Sequence, residues 1–153
     1  MKYRYLVLVL SMLPLAGFSQ HFIGKKKAAV MKFLQAEKSR QDSLEIVITE
    51  DASNIYYSVK PGKTQAADFI YNFGPDGKCR TEKVKASCDS CFRKYLQKAL
   101  DNKKLGWKKI NENQYVSRYA SRMMIELPPE ANDYSFVILH SDWNRKLYKL
   151  LLQ

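Results

Sequence analysis

The stretch that decides the fold is DFIYNFGPDGKCRTEKVKA, residues 68–86. At its centre, Pro75 fixes φ for the first central turn position, Asp76 suits the second, and Gly77 supplies the positive φ that follows. That combination predicts a type I turn with a bulge, and the flanking β-branched and aromatic residues make it a hairpin. If Gly74 pairs with Lys78, Phe73 faces Cys79 and Tyr71 faces Thr81, which puts Cys79 on the aromatic face.

Upstream, LEIVITE (residues 44–50) and NIYYSVK (residues 54–60) read as two more strands of a hairpin, separated by the polar Asp51, Ala52 and Ser53. Before them, Val30, Phe33 and Leu34 recur at helical spacing while lysines, Gln35 and Glu37 fill the other face, so residues 25–40 are expected to form an amphipathic helix.

Downstream, SCDS (residues 87–90) supplies a helix start, with Ser87 or Asp89 as the cap. Phe92, Tyr95, Leu96 and Ala99 line one stripe of that helix, which is expected to end near Lys103, before Gly106. Strands follow at residues 107–110, 114–119, 122–127 and 134–140. The PPEAND segment (residues 128–133) must be a loop, because two prolines cannot serve an interior ladder. A closing helix starts at Ser141 or Asp142, with Trp143, Leu147, Leu150 and Leu151 on one side.

The expected class is therefore α+β, in the order α-ββββ-α-ββββ-α, with antiparallel strands in one or more sheets and amphipathic helices on one face. The two halves share this order of elements but no residue pattern. In outline the repeat resembles cystatin-like folds and tandem inhibitor proteins, yet no family motif is present and fold alone does not assign function.

Residues 1–19 carry Lys2 and Arg4, then an apolar run from Tyr5 to Ala16, then small side chains at Gly17 and Ser19. This is the order of a secretory signal cut between Ser19 and Gln20. Ser11 and Pro14 interrupt the run, which falls short of the roughly 20 apolar residues that span a bilayer. The expected product is a secreted or periplasmic single α+β domain over residues 20–153, with no transmembrane anchor. Loss of Lys2 and Arg4 takes the net charge from +11 to +9.

Cys88 and Cys91 form a C-x-x-C pair at the start of the second helix. Unpaired N–H groups and the positive dipole end at such a start lower a thiol pKa, so the pair is a candidate redox centre. The polar lead-in KCRTEKVKAS differs from the buried strand that feeds the motif in thioredoxin-like proteins, which favours a local structural disulfide. If residues 78–86 are one strand, Cys79 lies about 23 Å from Ala86, far beyond the roughly 4.4–6.8 Å between bridged Cα atoms. The expectation is a Cys88–Cys91 bridge with Cys79 a free, buried thiol.

No catalytic set, cofactor or metal is called for. Zinc would need two ligand pairs at short spacing, and only one exists. His140, Ser141 and Asp142 are the residue types of a hydrolase triad, but neighbours in sequence cannot approach opposite nitrogens of one imidazole. They read instead as a strand end and a cap. His21, two residues into the expected mature chain, is not read as a site. PGKT (residues 61–64) lacks the glycine and spacer of a phosphate loop.

What stands out is charge, 26 Lys and Arg against 15 Asp and Glu. Lysines at 25–27, 103–104 and 108–109, with Arg145, Lys146 and Lys149, favour an acidic protein or an anionic polysaccharide or envelope surface as partner. Export argues against nucleic acid. The leading expectation is a non-catalytic, inhibitor-like binding protein. The alternatives are a thiol–disulfide redox protein using Cys88 and Cys91, or an enzyme whose residues converge only on folding. Oligomeric state is left open by the sequence.

Overall fold

A computed structural model describes residues 21–41, 44–60, 66–129 and 133–153. The expected signal segment and the PGKT sequence lie outside the described residues. The elements run α1 (Lys27–Arg40), β1 (Glu45–Glu50), β2 (Asn54–Lys60), β3 (Ala67–Phe73), β4 (Cys79–Ala86), α2 (Asp89–Leu100), β5 (Lys108–Asn111), β6 (Gln114–Val116), β7 (Met123–Glu126), β8 (Ser135–His140) and α3 (Arg145–Leu151). All eight strands join one antiparallel sheet in the order β1-β2-β3-β4-β8-β7-β6-β5. The chain thus lays down one four-strand meander, crosses through α2, and returns so that its last strand docks on the fourth.

The turns follow from their residues. Gly74 donates to the Lys78 carbonyl at 2.9 Å, and Gly77 takes φ of 70° and donates back to Gly74, as the GPDG sequence requires. At the β1–β2 turn the Asp51 carboxylate accepts from the backbone N–H groups of Ser53 and Asn54 and from the Tyr56 hydroxyl. These donors, the Asn54 side chain first, hold its pKa well below the usual carboxylate range.

One face of the sheet carries the core. A row of opposed residues crosses it from Ile48 through Tyr57, Phe69 and Val84 to Phe136. A parallel row runs Ile55, Tyr71, Glu82, Ile138, Ile125, Tyr115. Val30 and Leu34 of α1 and Ala99 of α2 are buried against this face, with Phe92, Tyr95 and Leu96 packed beside them. Each large apolar side chain so buried contributes about 1.5–3 kcal/mol, and the face supplies most of the fold's stability.

Four expectations are corrected. Tyr71 opposes Glu82, not Thr81, because the register shifts between Asn72 and Phe73, with Phe73 opposite Cys79 and Asn72 opposite Thr81. Arg80 is the extra residue of a β-bulge, so Cys79 and Glu82 both point into the core. The cap of α2 is Cys88, whose sulfur accepts from the Cys91 N–H, rather than Ser87 or Asp89. Glu37, expected on the solvent side of α1, is buried and accepts from Arg40 at 2.9 Å.

The fourth correction concerns the last helix. Its cap is Asn144, accepting from the Leu147 N–H at 2.9 Å, and not Ser141 or Asp142. Trp143 precedes the helix and is buried, whereas Leu147 and Leu150 are exposed. The core-facing stripe expected there does not form: α1 and α2 cover the main core, and α3 contributes no buried residue. Tyr148 fastens α3 to the body by donating to the Ser117 carbonyl at 2.9 Å and stacking near Tyr119 and Trp143.

Candidate functional site

Three places bring chemically capable groups together, and each begins from a local feature of the chain. The first is a cavity of about 50 Å³ between α1, α2 and the sheet. The bulge at Arg80 turns Glu82 inward, where apolar rows flank it. Its carboxylate accepts from the Phe22 and Ile23 backbone N–H groups. Residues 22–27 are stitched to the start of β4: Gly24 donates to the Cys79 carbonyl, Cys79 to Lys25 and Lys27 to Gly77. Phe22 is thereby buried against Phe33 and Tyr71.

His21 closes the cavity, its Nδ1 3.8 Å from Glu82 Oε2. Its Nε2 is buried with no hydrogen-bond partner among the described residues. Tyr71, Tyr95 and Lys98 complete the polar lining. Burial, then the Glu82 charge, pushes the Tyr71 hydroxyl pKa well above its ordinary value. Burial raises Tyr95 as well.

The sequence set His21 aside and placed Glu82 on no site, yet folding brings the two together. Alternation alone would have found Glu82 had the bulge been visible. Chemically, the pocket is an anchor: one carboxylate oxygen holds the N-terminal segment by two N–H groups, and 50 Å³ admits water but not the ligands that fill pockets of roughly 300 Å³ and more.

The second place is the C-x-x-C pair. Cys88 caps α2 and Cys91 lies one turn in, with Cα atoms 5.1 Å apart and sulfurs at bonding distance. Cys91 is buried, Cys88 half-buried, and the Ser90 hydroxyl lies 3.2 Å from Cys88 Sγ. Cys79, the remaining thiol, is buried in the core, and desolvation first, with the Glu82 charge second, pushes it up to about 12. It joins neither of the other two.

The third is a basic band running from the exposed side of α2 through its C-terminal turn into β5. Lys94, Lys103, Lys104 and Lys108 are exposed, and none of them has an acidic partner within ion-pair distance among the described residues. Arg93 and Lys109 at its borders are paired with Asp89 and Glu112. Lys98, half-buried on the same helix, has its ammonium pKa lowered by desolvation first and the Lys94 charge second, with Glu37 opposing.

A cation beside the end of a helix is favoured by the carbonyl dipoles there. That explains Lys98 in the last turn of α2 but not the lysines beyond it. His140, by contrast, ends β8 with its Nδ1 3.4 Å from Asp142 Oδ1, an exposed carboxylate. Among the described residues no three His, Cys, Asp or Glu side chains gather to hold a metal ion. No family model, no curated protein and no solved structure matches the chain.

Proposed function

We propose that this chain is an exported, non-catalytic binding protein whose basic band, Lys94 to Lys108, receives the acidic surface of a partner protein. The observation that carries the reading is the set of four exposed lysines with no acidic partner within ion-pair distance among the described residues. Charges of one sign left unpaired on a helix, the turn after it and the start of a strand steer an anionic partner and fix its register. The signal-like residues 1–19 and the pair of sulfurs at bonding distance support export into an oxidising compartment.

Polyglutamate serves as the acidic probe. Its affinity for the protein should fall steeply as salt rises from about 0.05 M to about 0.5 M, where exposed charges are screened within a few ångströms. An affinity that does not change over that range removes the charge-based reading. Tighter binding of alginate than of polyglutamate would reassign the partner to an anionic polysaccharide.

One observation favours a second reading. Cys88 is partly accessible at a helix start while Cys91 is shielded behind it, the asymmetry a thiol–disulfide exchanger needs. In that role the reduced Cys88 thiolate attacks a substrate disulfide, releasing one substrate thiolate. Cys91 then attacks the mixed disulfide, releasing the second thiolate and closing the Cys88–Cys91 bridge. A reduction potential below about −300 mV would mark the bridge as structural and remove this reading. In the same experiment Cys79 should resist alkylation until the protein is unfolded, because its thiol is buried and held protonated.

A further inference from the structure

Helix α3 carries an exposed surface that the basic band does not include. Among the described residues the exposed large apolar side chains are Val47, Leu147, Leu150 and Leu152, so three of the four fall on one seven-residue helix and its C-terminal cap. Their exposures are 47% for Leu147, 55% for Leu150 and 38% for Leu152. Arg145, Lys146 and Lys149 on the same helix are also exposed, and no described acid pairs with them. The acid nearest in sequence, Asp142, lies beside His140.

The helix is not free to roll. Tyr148 is held inward by its hydrogen bond to Ser117 and by the Tyr119 and Trp143 rings. At about 100° per residue, that orientation turns Lys146 and Leu150 almost directly outward, with Leu147 on one flank and Lys149 on the other. The outward surface is therefore split lengthwise into a leucine strip and a lysine strip.

We propose that α3 is a peripheral docking element for an anionic lipid surface. Leucines seated at the acyl boundary and lysines reaching back to headgroup phosphates use both strips at once, with the long lysine stems spanning the depth between them. A second copy of the chain fits less well, since an antiparallel two-fold contact sets the lysine strip against itself and a parallel one sets lysines against leucines. No helix among the described residues is long and apolar enough to cross a membrane, so the contact is one of surface attachment.

Flotation of the purified protein with phosphatidylglycerol/phosphatidylcholine vesicles, and with phosphatidylcholine vesicles alone, tests this. The protein should float with the anionic vesicles and not with the neutral ones. Leu147→Ser with Leu150→Ser, which leaves the charge unchanged, should cut the bound fraction at least about tenfold. Lys146→Glu with Lys149→Glu should do the same. Circular dichroism melts confirm that the variants fold, and Leu150→Ser alone serves if the double variant does not.

Failure of the unaltered protein to float with anionic vesicles overturns the proposal. So does flotation that ignores the leucine changes, which would trace it to charge elsewhere on the surface. Sedimentation that shows a dimer dispersed by those changes would assign the strip to a second copy. Loss of polyglutamate binding in the leucine variant, with flotation intact, would assign it to an acidic protein.

Discussion

Glu82→Ala is expected to lower the unfolding free energy by about 3 kcal/mol, because it removes the charged acceptor of two backbone N–H groups, one buried and one half-buried. The Phe22 and Ile23 N–H groups bond the carboxylate, and the packing of Phe22 against Phe33 and Tyr71 shields the first of them from bulk water. Alanine leaves both donors unpaired in an apolar row between Tyr71 and Ile138. The segment of residues 22–27 should therefore detach before the sheet melts.

Amide exchange reads this directly: protection at Gly24 and Lys27, which donate to Cys79 and Gly77, should drop while that of Phe69 and Val84 holds. Glu82→Gln keeps an acceptor oxygen and should cost about 1 kcal/mol. A Glu82→Ala protein within about 1 kcal/mol of the original, by urea denaturation, would show that the carboxylate is no anchor.

Phe136→Ala should cost about 3–5 kcal/mol, as truncation of a fully buried phenylalanine leaves a cavity that the neighbours fill only in part. Phe136 is 2% exposed and lies on β8 opposite Val84, its ring 6.1 Å from that of Phe92. It sits on the β4–β8 seam, which joins the first four strands to the last four. Because α2 packs over the same seam, the two halves should unfold together, and denaturation should stay a single transition with an unchanged slope on denaturant. Two separated transitions would mean that the halves are independent units.

How far the sequence carried the fold depends on whether local chemistry or long-range pairing decided each element. The β3–β4 turn was legible because Pro75 and Gly77 have few other conformations to offer. The strands were legible from their β-branched and aromatic alternation, and α2 from Phe92, Tyr95, Leu96 and Ala99. The bulge at Arg80 was not, since KCRTEK offers charged or polar residues at either parity and a one-residue slip costs nothing in the pattern. That slip concealed Glu82, and with it the pairing that recruits His21.

Long-range pairing explains the other misses. That β8 docks on β4 depends on pairs 50 to 58 residues apart, Lys85 with Ser135 through Thr81 with Leu139, which no local pattern encodes. The leucines of α3 imitate a core stripe, but Trp143 just before the helix takes the buried place and Tyr148 sets the roll that exposes them. The Cys88–Cys91 pairing was legible because strand length alone excludes Cys79. Of the basic band, the sequence showed the lysines but not which of them would be left without an ion-pair partner among the described residues.

That band is the centre of the functional account, and a position-matched comparison tests it most directly. Lys103→Gln with Lys104→Gln removes two charges from the band. Lys83→Gln with Lys85→Gln removes the same charge from the sheet face opposite the core, where their register places them. Polyglutamate affinity, measured for both at low salt, should fall about fivefold or more for the first pair and less than about twofold for the second. Equal losses in the two proteins would contradict the account, because binding would then follow net charge and no band would be selected.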